Sequence, residues 1–138
     1  MVVGTKRSMT RSVLETRVLV VDADVSSLEM LAVALLDSGF AVRTAASAAE
    51  ALAEARKRPP SLVLTEIAMP EMDGIQLCAE LRGDPSLGGV PIVLLAGGHA
   101  DPRLRARGAT AGASDYLTKP IDLPRLVQVI RGLSAGAA

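Results

Sequence analysis

Five short apolar runs recur along the chain, and a segment of helical character follows each of them. The runs cover residues 17–21, 41–44, 62–65, 92–95 and 115–118. Strands that are apolar along their whole length are typical of a parallel sheet that is covered on both faces. Five alternations of strand and helix predict a three-layer, doubly wound α/β sandwich with one parallel five-stranded sheet. For a chain of this size we expect the strand order 2-1-3-4-5.

Each predicted helix begins at a residue that commonly caps helix N-termini. The capping residues are Ser26, Ser47, Asp73, Asp101 and Asp122. Ser26 and Glu29 also have the spacing of a capping box. The predicted organisation is a flexible tail over residues 1–15, one domain over 16–134 and a short tail over 135–138.

The composition excludes several classes of protein. Of the 138 residues 49% are hydrophobic but only 1% are aromatic, so the core must be aliphatic. The formal net charge of zero gives no general attraction to nucleic acid or to an anionic membrane. Cys78 is the one cysteine, which rules out an internal disulfide and a thiolate metal cluster. No apolar run reaches about 18 residues and the N-terminus lacks a signal-peptide pattern, so we expect a cytoplasmic protein.

Charged residues stand where three of the strands should end. Asp22 follows the first run, with Asp24 close behind it, while Glu66 follows the third run and Lys119 the fifth. Ala96 follows the fourth run. Because ligands of such folds bind outside the carboxyl ends of the strands, we expect these residues to line one crevice. Lys119 would neutralise Glu66 there as an internal ion pair.

Four motifs give the chain a close resemblance to a known family. They are VLVVDAD at the first strand, EIAMPEMDG, the small pair Ala96-Gly97, and GASDYLTKP at the fifth strand. With these motifs, residues 17–133 resemble the receiver domain of bacterial two-component response regulators, of the chemotaxis-regulator kind with a flavodoxin-like fold. The resemblance implies an aspartate that takes a phosphoryl group from a histidine kinase, an acidic pair that holds Mg²⁺, and a place in a phosphorelay.

The resemblance also implies a role for each position of the crevice. Glu66 stands at the phosphoacceptor position, and Lys119 at the position of the lysine that contacts the phosphoryl group. The acidic, metal-binding positions are occupied by Asp22, Ala23, Asp24 and Ala68. Ala96 and Tyr116 stand at the positions of the switch pair, and the bond before Pro120 corresponds to one that is usually cis in the family.

Three of these positions depart from the family pattern. Glu66 replaces the acceptor aspartate, Ala23 the second acid of the metal-binding pair, and Ala96 the switch hydroxyl. Phosphoryl transfer needs an in-line nucleophile and a cation that neutralises the developing charge. A misplacement of about 1 Å can lower the rate about 100-fold. We therefore predict a degenerate receiver, not an enzyme, that works without phosphorylation, with Mg²⁺ binding weak or lost and no other cofactor.

A face that carries several arginines is a candidate surface for partners. Its residues are Arg103, Arg105, Arg107, Tyr116 and Arg125. In the family the fourth helix, fifth strand and fifth helix carry the output, although these arginines fit a solvated helix face equally well. The expected partners are signalling proteins, a histidine kinase or a downstream regulator, with no nucleic acid and no membrane. We expect a monomer or a weak dimer through this face.

Two other functions stay open at this point. One is a working receiver that is phosphorylated on Glu66 or on a neighbouring aspartate. The other is a flavodoxin-like cofactor binder, which needs a phosphate-binding loop and aromatic side chains over the ring, whereas the first loop here reads DADVSS. The Glu66–Lys119 pair also leaves open whether the crevice resembles the phosphorylated state or is simply held shut.

Overall fold

The predicted sheet is confirmed in its direction and in its strand order. The computed structural model describes residues 16–98 and 101–137. Its strands are β1 (Arg17–Val21), β2 (Ala41–Ala45), β3 (Leu62–Glu66), β4 (Ile92–Ala96) and β5 (Asp115–Thr118). All neighbours are parallel, in the order β2-β1-β3-β4-β5. The chain therefore has the doubly wound, flavodoxin-like architecture that its apolar runs predict.

Five helices connect and follow the strands. They are α1 (Val25–Asp37), α2 (Ala48–Lys57), α3 (Gly74–Gly83), α4 (Pro102–Ala111) and α5 (Leu123–Ala137). The predicted tail over residues 1–15 lies outside the described residues. Helix α5 continues to Ala137, beyond the boundary expected after residue 134. No helix in the described ranges has the length and apolar character that a membrane crossing requires.

The start of α1 differs from the prediction, whereas the start of α3 agrees with it. Asp24, not Ser26, caps α1, and its carboxylate accepts hydrogen bonds from the backbone N–H groups of Ser26 and Ser27. The prediction at Ser26 is wrong because the aspartate two residues earlier satisfies those N–H groups first. At α3 the predicted capping box is complete, since Asp73 and Gln76 exchange hydrogen bonds of 2.8 and 2.9 Å.

Two aliphatic clusters hold the helices on the two faces of the sheet. Helices α1 and α5 pack on one face through residues such as Leu35 and Leu126, both fully buried. Helices α2, α3 and α4 pack on the other face, where Leu77 and Leu94 are fully buried. Because both faces are covered, the central strands β1, β3 and β4 carry polar side chains only near their ends. The edge strand β2 is more exposed and carries Arg43 at its centre.

Gly108 lets α4 approach the sheet closely. A Cβ atom at this position would lie 2.6 Å from Leu94 Cδ1 and 4.0 Å from Tyr116 Cδ2. The first distance is too short for two carbon atoms, so a side chain here would push α4 away from β4. Gly132 in α5, by contrast, has nothing within 4 Å of the corresponding Cβ position.

We expect Gly108→Ala to lower the free energy of unfolding by about 1–3 kcal/mol, because the added methyl overpacks the contact with Leu94. The matched variant Gly132→Ala should raise it by up to about 1 kcal/mol, because alanine favours the helix and meets no neighbour there. Urea unfolding of both variants measures the two changes. An equal gain in stability at both positions would contradict the close packing of α4.

Candidate functional site

The carboxyl edge of the sheet brings the predicted crevice residues together. Glu66 and Ala96 are the last residues of β3 and β4, while Asp22 and Lys119 directly follow β1 and β5. These four strands are successive neighbours in the sheet. The backbone N–H of Lys119 donates to the Ala96 carbonyl at 2.9 Å, which fixes the lysine beside the end of β4. The sheet thus places two acids and one lysine in one crevice.

Glu66 and Lys119 form an ion pair at the centre of this crevice. Glu66 Oε1 lies 2.6 Å from Lys119 Nζ, and their side chains are 8% and 34% exposed. Partial burial works to lower the pKa of Lys119, but its close contact with Glu66 and the charges of Glu66, Asp22 and Asp24 together raise the pKa above its ordinary value. The lysine is therefore held in its charged form against a nearly buried carboxylate.

The remaining acids of the crevice are engaged by backbone groups. Asp22 is buried, and its Oδ1 accepts a 2.9 Å hydrogen bond from the N–H of Asp24. Asp24 in turn caps α1 and also accepts from the Ser27 hydroxyl at 3.2 Å. Its carboxylate is thus turned to the helix N-terminus, where the helix dipole favours an anion.

This set of donors does not fit a Mg²⁺ ion. Magnesium binds through near-octahedral oxygen ligands, whereas Ala23 supplies no carboxylate, Asp24 caps a helix and Glu66 is paired with Lys119. In the described ranges, no group of three His, Cys, Asp or Glu side chains is arranged to hold a metal ion. Ala68, the fourth position that the resemblance assigns to the metal, is exposed in the loop after β3.

Gly74 is needed where that loop enters α3. A Cβ atom at Gly74 would lie 2.3 Å from the Glu66 carbonyl oxygen, and the Gly74 N–H donates to the Ile67 carbonyl at 2.9 Å. The start of α3 therefore presses directly on the backbone of Glu66. Gly74 is not among the residues singled out from the sequence, although a glycine is the residue that allows such a close backbone approach.

The two positions assigned to the switch are both buried. Ala96 and Tyr116 are 2% and 5% exposed, and both belong to the core under α4. The Tyr116 hydroxyl has no hydrogen-bond partner in the part of the chain that the structure describes. Arg105 covers the tyrosine, with its guanidinium carbon 4.7 Å from the ring centre and its Nη2 3.4 Å from the Tyr116 carbonyl oxygen.

The other arginines of the predicted partner face are exposed. Arg103 and Arg107 lie on α4 and Arg125 lies on α5. Within residues 16–98 and 101–137, none of them takes part in an ion pair. A groove of about 190 Å³ runs between Arg105 and Arg125. No sequence signal separates Arg105, which packs on Tyr116, from its two neighbours of the same type.

The aromatic side chains leave no surface for a flavin ring. The chain has one tyrosine, one phenylalanine and no tryptophan, and Phe40 and Tyr116 are each only 5% exposed.

The Lys119–Pro120 peptide bond is cis.

Comparison with known proteins places this geometry in one family. The family model described as "Response regulator receiver domain" matches residues 18–131. The chain is 37% identical over 123 residues to the response regulator PleD of Caulobacter vibrioides, covering 88% of this chain and 26% of PleD. It is 39% identical over 115 residues to the DNA-binding response regulator MtrA of Mycobacterium tuberculosis, covering 83% of this chain and 49% of MtrA. The chain thus spans about a quarter of the length of PleD and about half of the length of MtrA.

A solved structure agrees with the sequence matches. A response regulator from Chloroflexus aurantiacus superimposes with a TM-score of 0.83 at 35% sequence identity, covering 88% of this chain and 98% of that one.

We expect Lys119→Ala to lower the free energy of unfolding by about 1–3 kcal/mol, because it leaves the buried Glu66 carboxylate uncompensated. Adding Glu66→Gln should recover part of this loss. Arg56→Ala is the matched control, since it removes an exposed ion pair with Asp84 that should contribute at most about 1 kcal/mol. Thermal and urea unfolding measure the stability of all three variants. Equal effects of Lys119→Ala and Arg56→Ala would contradict a stabilising pair in the crevice.

The stability that the Lys119 charge contributes should be lost at alkaline pH. The folded state raises the pKa of Lys119, so its contribution is complete below the unfolded pKa of about 10.4 and disappears as the pH rises through the higher folded pKa. The difference in unfolding free energy between the native chain and Lys119→Ala should therefore be constant near neutral pH and shrink above about pH 10.5. A difference that grows with pH would contradict this assignment.

Proposed function

Because the chain belongs to the response regulator receiver domain family, we propose that it is a receiver whose signalling state does not depend on phosphorylation. Receiver domains of this family are modules of two-component signal transduction rather than catalysts. The proposal concerns how this particular chain acts within that class. It rests on the crevice, where the family's reaction would take place.

The ion pair between Glu66 and Lys119 is the observation that carries the proposal. An acceptor must offer a free carboxylate oxygen in line with the donor phosphorus. Here Glu66 Oε1 is 2.6 Å from Lys119 Nζ in a side chain only 8% exposed. A donor would have to break this pair in a partly buried site, where the lone carboxylate costs several kcal/mol. The lysine that should meet the incoming phosphoryl group is already bound to the acceptor.

The metal and switch positions support the same proposal. With Ala23 in the acidic pair and Asp24 capping α1, we infer that Mg²⁺ binding is weak or lost, so the charge that develops during transfer has no cation to stabilise it. Ala96 has no hydroxyl to bond a phosphoryl oxygen. Tyr116 is buried beneath Arg105. We infer that the crevice and the partner face are held in one arrangement.

In this proposal the chain acts through contacts with other proteins. The exposed residues Arg103, Arg107 and Arg125, together with the groove beside Tyr116, form the partner face. The partners would be a histidine kinase or a downstream regulator of the same pathway. A weak dimer through α4, β5 and α5 is the expected oligomer if one forms.

Incubation with acetyl phosphate and Mg²⁺ tests the proposal directly. Intact-mass spectrometry should find no gain of one phosphoryl group on the native chain. Glu66→Asp alone should label poorly, because Ala23 still leaves the metal one carboxylate short, whereas Glu66→Asp with Ala23→Asp should label. Stoichiometric labelling of the native chain, or efficient labelling of the single variant, would overturn the proposal in favour of a working phosphoacceptor.

The role of Ala96 can be tested with a spectroscopic probe on Tyr116, the single tyrosine of the chain. With fluorotyrosine incorporated, the ¹⁹F spectrum should contain one resonance that reports only on Tyr116. We expect phosphorylation of the Glu66→Asp, Ala23→Asp variant to leave this resonance nearly unchanged, because Ala96 offers no hydroxyl. Adding Ala96→Thr should restore a phosphorylation-dependent shift. A large shift in the variant that keeps Ala96 would show that the tyrosine responds by another route.

A further inference from the structure

A cavity lies at the amino edge of the sheet, where the strands begin, and the crevice lies at the opposite edge. The cavity has a volume of about 280 Å³ and lies beside the first residues of β1 and β2. Its aliphatic lining residues are Val18, Leu19, Ala41, Val42 and Pro60. A recess of this size with a largely aliphatic lining suits the ring or short aliphatic body of a small molecule.

Three arginines from three separate segments of the chain line the same cavity. Arg17 is the first residue of β1, Arg43 is the central residue of β2, and Arg58 directly follows α2. Glu54 is the one carboxylate among the described residues that line the cavity, so two positive charges are left in excess. Like charges around one cavity repel one another, and a bound anion would offset this cost.

The end of helix α2 does not by itself explain these arginines. Basic residues in the last turn of a helix stabilise it through the helix dipole, and α2 has two of them. Arg17 and Arg43 lie on strands, where this explanation does not apply. Arg43 is paired with Glu54. Arg17 and Arg58 have no carboxylate partner within the described ranges, so these two guanidinium groups are available to an anion.

Arg17 is held in place by the segment that precedes β3. Its backbone N–H donates to the Ser61 hydroxyl at 2.9 Å, and the Ser61 N–H donates to the Arg17 carbonyl at 2.8 Å. Its Nη2 donates to the Pro59 carbonyl at 2.6 Å. Its Nε is buried and has no hydrogen-bond partner among the residues that the structure describes. A guanidinium that is fixed in this way and keeps unused donors is well suited to bind a carboxylate or a phosphate.

We propose that this cavity binds a small organic anion, which carries a carboxylate or phosphate group on a planar or aliphatic body. The body packs against the aliphatic residues of β1 and β2, and Arg17 and Arg58 bind the anionic group. Arginine suits this role because its planar guanidinium forms paired hydrogen bonds with either kind of anion. Glu54 limits the affinity, because its negative charge repels the ligand and because it already binds Arg43.

A large polyanion fits this arrangement less well than a small molecule. Nucleic acids and anionic membranes are attracted by exposed positive charge and need no aliphatic recess. Here the arginines line a recess that reaches the buried residue Leu19. The site does not rest on the proposed function, because it lies at the other edge of the sheet from the Glu66–Lys119 pair.

Titration with probes that share one ring and differ in charge tests the proposal. Phenyl phosphate and benzoate carry the two kinds of anion, and benzyl alcohol supplies the ring without the charge. At matched pH and ionic strength, both anions should shift the backbone amides of residues 17–19 and 41–43 and of Arg58 and Ser61. The better anion should bind with a dissociation constant of about 1 mM or below, as expected for roughly ten non-hydrogen atoms. Benzyl alcohol should bind at least about tenfold more weakly.

A matched pair of variants separates the cavity from the general charge of the surface. Arg58→Gln should weaken the better anion at least about fivefold, because it removes a charged hydrogen-bond donor. Lys57→Gln removes the same charge from the neighbouring exposed residue, which does not line the cavity, and should change the affinity less than about twofold. Both positions are exposed, and circular dichroism should show that both variants are folded.

A second pair tests the role assigned to Glu54. Glu54→Gln should strengthen binding of the better anion about two- to fivefold, because it removes a repelling charge and releases Arg43. Glu80→Gln, at an exposed glutamate on α3, should leave the affinity unchanged. A gain in affinity is not expected of a residue that only stabilises the fold.

The proposal is overturned if neither anion shifts amides at this edge of the sheet, or if benzyl alcohol binds as tightly as the anions. Equal effects of Lys57→Gln and Arg58→Gln, or weaker binding by Glu54→Gln than by the native chain, would also overturn it. So would a short DNA duplex that shifts the same amides at a lower concentration than either anion, since the ligand would then be a polyanion.

Discussion

Helices shield the central strands β1, β3 and β4 from water on both faces, so these strands carry polar side chains only near their ends. In a parallel sheet the carboxyl ends of the strands lie at one edge. Here Asp22, Glu66, Ala96 and Lys119 lie at that edge, at the ends of four neighbouring strands. The close approaches at Gly74 and Gly108 serve the same arrangement, because they press α3 and α4 against the strands whose ends form the crevice. The position of the site is thus a consequence of how the core is covered.

Much of this arrangement could be predicted from the sequence, because strand burial and helix capping are local properties. The continuous apolar runs predict the five strands, and Asp73 with Gln76 predicts the start of α3. The strand order is expected from the size of a doubly wound chain. The prediction was wrong at α1 because Asp24 and Ser26 are both good caps, and only the path of the chain after β1 decides between them. That choice bears on the site, since the N-terminus of α1 then engages the Asp24 carboxylate. The packing of Arg105 on Tyr116 depends on tertiary geometry, which the spacing of arginines does not encode.

The three departures from the family pattern are physically consistent with one another. The longer side chain of Glu66 reaches Lys119, and the alanine at position 23 removes a carboxylate that would otherwise add to the negative charge of Asp22 and Glu66. Two acids with one lysine leave a smaller excess of negative charge than three acids with the same lysine would. Like charges in a small crevice repel one another. The alanine at position 96 adds no hydroxyl to the core in which Tyr116 is also buried. The departures at positions 23 and 66 therefore make each other easier to accommodate.

The Glu66–Lys119 pair also bears on how long a signal can last. An acyl phosphate hydrolyses, and a phosphatase can remove it, so a phosphorylated receiver carries information with a lifetime. An ion pair between two side chains of the fold needs no donor to form and is not removed by hydrolysis. In a receiver fixed in this way, the quantity that the cell can vary is the number of copies, through synthesis and proteolysis. Such a protein reports its own abundance rather than a recent stimulus.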